Sequence, residues 1–98
     1  MSSQTKTITL GIIGAGYWGP NLVRNFATLP RCEIKVVCDQ DRQALDRLRP
    51  LHPQLHFSSD WREIVGSPEI QAVVIATPTS THYEIALEAL KKGKEVFE

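Results

Sequence analysis

The stretch Gly14-Ala15-Gly16-Tyr17-Trp18-Gly19 constrains this chain more than any other, because it joins an apolar run, Ile8 to Ile13, to a segment of helical spacing that begins near Pro20. Strand, glycine turn and helix in that order predict a phosphate site. Gly14 permits the tight turn off the strand, Gly16 lets the backbone approach a pyrophosphate with no Cβ in the way, and Gly19 lets the helix lie close to the strand. The anion would sit over a helix N-terminus, where unpaired N–H groups and the positive end of the helix dipole stabilise negative charge without a Lys or Arg. Tyr17 and Trp18 lie within the turn, so their backbone N–H groups belong near the phosphates whatever their rings do. For the Trp18 ring two readings stand: sealing the helix against neighbouring loops, or contact with cofactor or substrate.

A second apolar run, Ile34 to Cys38, ends in Asp39, about 20 residues past the last glycine, where a carboxylate can accept hydrogen bonds from an adenosine ribose. The ligand predicted is therefore a nicotinamide dinucleotide. Asp39 repels a 2′-phosphate and so favours NAD, while Arg42 stands close enough in sequence to keep NADP open. The alternative role for Asp39 is a helix cap, which Asp41 fills better just before a helix from Arg42 to Arg49, with Ala44, Leu45 and Leu48 inward and Pro50 as the stop.

The length of 98 residues suffices for one compact domain and falls short of a nucleotide domain plus a substrate domain. Eleven basic and eleven acidic side chains balance, and the basic ones are scattered, which argues against nucleic acid or an anionic membrane as partner. Met1 to Lys6 has no apolar core of the secretory kind, and no run approaches membrane-spanning length, so the expectation is a soluble cytoplasmic protein. Cys32 and Cys38 fall on one predicted strand with Cα atoms about 20 Å apart, too far to bridge, and read as buried reduced thiols.

The remaining punctuation predicts an α/β, doubly wound parallel sheet of the Rossmann type. The first strand is Thr7 to Ile13, with Gly11 assigned to packing, and the first helix runs from Pro20 to Leu29 with Leu22, Val23, Phe26 and Leu29 inward until Pro30. The second strand, Glu33 to Asp39, reads as covered on both faces. A third strand falls at Leu55 to Phe57; His52 and His56 near it have no companions at metal-ligand spacing, and no metal is expected. Asp60 with Glu63 has the form of a capping box for a short helix through Val65. Ala72 to Ala76 is the fourth strand and runs into Thr77-Pro78-Thr79-Ser80-Thr81-His82, a loop that should lie beside the glycine turn, since ligands bind outside the carboxyl ends of parallel strands. Thr77 and Pro78 are candidates to touch cofactor. Thr81 and Glu84 suggest a cap for a helix whose inner face would be Tyr83, Ala86, Leu87 and Leu90, and His82 falls in its first turn, with loop fixing weighed against proton transfer. The strand order expected is 3-2-1-4, with a fifth strand begun at Glu95 beyond strand four and the sheet incomplete after it.

The segments GIIGAGYWGPNLVRNF (Gly11 to Phe26), VVCDQD (Val36 to Asp41) and AVVIATPTSTHYEIALEALKKGKEVF (Ala72 to Phe97) resemble, in that order, the amino-terminal half of the Gfo/Idh/MocA oxidoreductases. The Tyr17-Trp18-Gly19-Pro20 version looks like members that oxidise sugar nucleotides. The resemblance implies a bound nicotinamide cofactor, with Gly14, Gly16 and Gly19 on the pyrophosphate, Asp39 on the ribose, and Thr77, Pro78 and His82 in the family's threonine-proline-to-histidine loop. The family's catalytic lysine belongs to a Glu-Lys-Pro motif after the fifth strand, and Glu98 falls before that motif is complete. No catalytic residue is therefore assigned, and the chain reads as a partial dinucleotide-binding domain that binds cofactor without turnover.

Three functions follow. The first is the nucleotide half of an oxidoreductase acting on the CH–OH group of a sugar, polyol or sugar nucleotide, with that substrate bound only in a full-length context. The second is a stand-alone NAD-sensing module, as a homo-oligomer whose neighbour covers the unfinished sheet edge. The third is a structural remnant that keeps the turn for folding alone.

Overall fold

A computed structural model describes residues 7–16 and 19–97. The elements are β1 (Ile8–Ile13), α1 (Gly19–Ala27), β2 (Cys32–Cys38), α2 (Arg42–Leu48), β3 (His56–Ser58), α3 (Trp61–Val65), β4 (Ala72–Ile75), α4 (Thr79–Lys91) and β5 (Glu95–Phe97). All strand pairs are parallel, in the order β3-β2-β1-β4-β5, as the sequence predicts. The order reverses at β1, which places the carboxyl ends of β1, β2 and β4 side by side and opens a crevice between the loops that follow them.

Successive strand residues point to opposite faces, and both faces are covered. Ile12, Val37 and Val74 pack on one side against Val23 of α1 and Ala44, Leu45 and Leu48 of α2. Ile13, Val36, Cys38, Val73 and Ile75 pack on the other against Ile64 and Val65 of α3 and Ile85, Ala86 and Ala89 of α4. This alternation is the doubly wound arrangement in side-chain terms. Gly11 is a packing glycine: a Cβ there would stand 2.5 Å from Ile64 Cγ2, and the β1–β2 register shifts between Leu10 and Gly11.

Several local expectations give way. Helix α1 stops at Ala27, where the Thr28 hydroxyl donates to the Asn25 carbonyl at 2.7 Å, so Leu29 falls past the helix and is exposed. Only Val36 to Cys38 of β2 are buried; its first four residues alternate between exposed and half-buried because β3 pairs with the carboxyl half alone. In α3, Asp60 caps the Arg62 N–H, but its own N–H donates to Ser58 Oγ, so the reciprocal Glu63 half of the capping box does not form.

Helix α4 starts three residues earlier than the Thr81 cap would have it. Pro78 is its N-cap with no side-chain capping bond, and the Thr81 hydroxyl donates to the Pro78 carbonyl at 3.0 Å. Its inner face is Ile85, Ala86 and Ala89; of the expected face only Ala86 is buried, while Tyr83, Leu87 and Leu90 are exposed. Two apolar stripes run along this helix, and the sheet takes the one with small residues, which lets α4 lie close to β4. No helix among the described residues is long and apolar enough to cross a membrane.

Candidate functional site

The glycine turn begins where β1 ends. Gly14 has φ +106°, a conformation that an L side chain strains to adopt, and its N–H donates to the Cys38 carbonyl at 2.7 Å. A Cβ on Gly14 would lie 2.7 Å from the carbonyl carbon and 2.8 Å from the carbonyl oxygen of Ala76. This glycine therefore serves the turn and also the close approach of the β4 end. Gly16 is different in kind: a Cβ there would meet nothing within 4 Å among the described residues, and Gly16 lines the crevice. Packing among the described residues gives no reason for glycine at 16, whereas a ligand lying against the main chain does. Gly19 is the first residue of α1.

The crevice is a cleft of about 560 Å³. Gly14, Gly16, Asp39, Thr77 and Pro78, five of the residues singled out in the sequence, line it together. Tyr17 and Trp18 lie outside the described residues. His82 sits half-buried in the first turn of α4 and is not part of the cleft lining.

Asp39 stands at the carboxyl end of β2, and both its oxygens are engaged. Oδ2 accepts from the Ala15 N–H at 2.6 Å and Oδ1 from the Asp41 N–H at 2.8 Å. Asp41 in turn caps α2 by accepting from the Gln43 N–H at 3.0 Å, so the two aspartates divide the roles that the sequence left between them. A carboxylate offers about four lone-pair sites, so two remain for hydroxyl donors such as those of a ribose.

Sequence reasoning missed part of the lining. Trp61 at the start of α3 closes one wall, together with Ile13, Cys38 and Ile85, and Thr81 lines the cleft instead of capping its helix. One signal was available for Trp61: in a parallel sheet every strand's carboxyl end faces the same edge, so the residues just after β3 belong there too. The thiol of Cys38 is pushed up to about 12, by burial first and then by the carboxylates of Asp39, Asp60 and Glu63, so it stays protonated and inert. The Thr77 hydroxyl is buried at the cleft with no hydrogen-bond partner, a group that a ligand donor or acceptor can satisfy.

Open main chain at Gly16, an unsatisfied Thr77 hydroxyl, an acidic residue at the β2 end and an apolar wall fit a dinucleotide. Residues 8–98 match the Gfo/Idh/MocA family, described as an oxidoreductase family with an NAD-binding Rossmann fold. The chain belongs to this family. It is the NAD-binding Rossmann domain of a Gfo/Idh/MocA protein, as its sequence resemblance implied.

Similarity to individual members is moderate. The chain is 33% identical over 94 residues to the uncharacterized oxidoreductase YrbE of Bacillus subtilis, covering 96% of this chain and 28% of that protein. It is 31% identical over 107 residues to a glycosyl hydrolase family 109 protein of Shewanella baltica, covering 99% of this chain and 23% of the relative. Among solved structures, scyllo-inositol dehydrogenase from Lactobacillus casei with bound NAD(H) and scyllo-inositol superposes with a TM-score of 0.83 at 28% identity, over 93% of this chain and 27% of the dehydrogenase. The chain thus spans about a quarter of the length of the curated relatives it matches.

Proposed function

We propose that this Gfo/Idh/MocA chain supplies the nucleotide-binding domain of an NAD-dependent oxidoreductase acting on the CH–OH group of a sugar, polyol or sugar nucleotide. The observation that carries the reading is Gly16, whose missing side chain opens main chain to the cleft with no packing reason among the described residues. On this reading Gly14, Gly16, Tyr17, Trp18 and Gly19 hold the pyrophosphate against the backbone at the start of α1, and Asp39 accepts from the adenosine ribose. Thr77 and Pro78 contact the cofactor from the β4 end, and His82 steadies that loop from the first turn of α4. The nicotinamide supplies hydride exchange. Among the described residues the lining groups that titrate are Cys38 and Asp39, the first held protonated and the second engaged by two backbone donors, so neither is assigned as base for the carbinol proton.

The inositol substrate of the Lactobacillus casei enzyme and the levoglucosan in the complex of levoglucosan dehydrogenase with NADH support a polyhydroxylated substrate class. The relatives named glycosyl hydrolases favour a second reading, in which the same nucleotide-binding domain serves glycoside cleavage, because this part of the molecule fixes the cofactor and not the reaction. The free thiols Cys32 and Cys38 support a reducing, cytoplasmic setting, and a homo-oligomer would cover the exposed edge of β5.

Calorimetric titration of the chain with NAD, ADP-ribose and NADP tests the cofactor. NAD and ADP-ribose should bind alike, and about tenfold or more tighter than NADP, because a 2′-phosphate would face the Asp39 carboxylate. Tighter binding of NADP would overturn the assignment of Asp39 to the ribose. NADH formation from polyols by the intact protein, against glycoside cleavage without net NADH, separates the two reactions.

A further inference from the structure

Trp61 is half-buried and stands between the cleft and a groove that runs between α3 and α4, lining both. The Arg62 guanidinium lies over the Trp61 ring, 4.8 Å from its centroid, and Arg62 lines the groove but not the cleft. The cation therefore backs the ring from outside. Adjacent residues on a helix do not normally face each other, so this contact needs a tether. Asp60 supplies it. Its Oδ1 caps α3 by accepting from the Arg62 N–H at 3.0 Å and also lies 3.5 Å from Arg62 Nη1.

The order of the strands sets the order of groups along the cleft. Across β3-β2-β1, the glycine turn follows β1, Asp39 follows β2, and Trp61 opens the helix after β3. The Asp39 N–H donates to the Ser58 carbonyl at 3.1 Å, so the end of β3 adjoins Asp39. A nucleotide carries its phosphate and its base on opposite sides of the ribose. With the phosphate at the turn and the ribose at Asp39, the base extends towards Trp61.

We propose that Trp61 is the platform on which the adenine stacks, and that Arg62, from outside the cleft, is a positioning residue that holds this platform through the far face of the ring. The proposal rests on the NAD-binding reading of the cleft and deepens it. An arginine that merely attracted the negative charge of the ligand would act with or without Trp61. A positioning arginine acts only through it.

The test is calorimetric titration of the full chain with NAD and AMP in the parent, Trp61→Phe, Trp61→Leu, Arg62→Gln and the Trp61→Leu/Arg62→Gln double variant. Trp61→Leu keeps an apolar wall without the aromatic plane and should bind both ligands about tenfold or more weaker, while Trp61→Phe should keep most of the affinity. Arg62→Gln should weaken both by about threefold, as expected of a cation over a partly exposed ring, and should have no further effect once Trp61 is Leu. AMP should also quench the emission of Trp61, read as the part of the tryptophan signal that Trp61→Phe removes. Amide protection of Gly14 and Ala76, whose N–H groups donate to the Cys38 and Ile13 carbonyls, reports that each variant is folded. Parental affinity for AMP in Trp61→Leu, AMP binding that leaves Trp61 emission unchanged, or an Arg62 effect that persists without Trp61 overturns the proposal. A parent that binds neither NAD nor AMP removes the reading of the cleft itself, and the platform with it.

Discussion

At the amino ends of β4 and β5 the backbone is stitched by side chains, whereas at the carboxyl ends of β1 and β4 it is left bare for a ligand. At the first end Lys94 Nζ donates to the Ser67 and Ile70 carbonyls at 2.7 and 2.6 Å, and the Gln71 side chain accepts from the Thr9 N–H at 3.1 Å. At the second end, among the described residues, lie Gly16 with nothing over it and a Thr77 hydroxyl with no partner. The contrast teaches a division of labour: polar satisfaction at one edge of the sheet holds the fold, so the other edge can leave polar groups unpaired for NAD. Gly14 and Asp39 are the exceptions, since each serves structure at the binding edge.

The largest effect on stability should come from the glycine exception. In Gly14→Ala the new Cβ meets the Ala76 backbone, which cannot rotate away, and the positive φ adds its own strain. We expect a loss of about 3 kcal/mol or more, together with NAD binding, in urea unfolding and titration. A variant as stable as the parent would break the comparison at its first step.

Lys94→Met attacks the opposite edge. Lys94 is 8% exposed, and losing its two donors leaves the Ile70 and Ser67 carbonyls to fend for themselves, at a cost of about 1–2 kcal/mol in urea unfolding. NAD affinity should stay near the parent's, because Lys94 lies at the far end from the cleft. Burial, and then the charge of Lys92, lowers the Lys94 ammonium below 10.5. Between its folded value and 10.5 the unfolded chain therefore holds more protons, and this residue makes stability rise with pH there. The Met variant should lack that rise; weaker NAD binding in it would show that the two edges are not independent.

Cys38 works in the other direction. Its folded value of about 12 lies above the 9.0 of the unfolded thiol, so between these the native state holds the extra proton. Stability from this group is complete below pH 9.0 and is lost as pH climbs towards 12, at up to about 1.4 kcal/mol per pH unit. Urea midpoints of parent and Cys38→Ala should converge or cross as pH rises above 9.0, since only the parent carries this loss. Parallel midpoints would mean that the thiol is not sealed into the cleft wall.

Features that depend on neighbours in sequence were legible without the fold; those that depend on a distant partner were not. The strand-glycine-helix order, Asp41 as the α2 cap, and Ala44, Leu45 and Leu48 as its inner face are each fixed within a few residues. The α4 face was misjudged because Tyr83, Leu87 and Leu90 are as apolar as Ile85, Ala86 and Ala89, and only the distance to the sheet chooses the slimmer set. Lys94 follows a charged helix end and looks like one more solvated lysine until β4 and β5 fold against it. The Asp39 to Ala15 bond joins two loops 24 residues apart, and no periodicity announces it. In the site, Gly14, Gly16, Asp39, Thr77 and Pro78 were found from spacing because a phosphate turn and strand ends are local patterns, whereas Trp61 enters only through the shared edge of the sheet.

The smallest expected change in stability belongs to Gly16→Val, and it sharpens the comparison most. Gly16 has no positive φ to protect, and a Cβ there meets no atom of the described residues within 4 Å, so the urea midpoint should move by no more than about 0.5 kcal/mol equivalent. The branched side chain would nevertheless fill the surface on which the pyrophosphate rests, and a phosphate displaced from the main chain loses its backbone donors and its place at the α1 N-terminus. NAD binding should therefore vanish from titration while the far-ultraviolet spectrum stays that of the parent. Gly14→Ala and Gly16→Val then sit two residues apart with opposite signatures, one losing fold and ligand, the other ligand alone. Retained affinity in Gly16→Val would place the phosphates elsewhere and would make the bare edge of the sheet a matter of folding only.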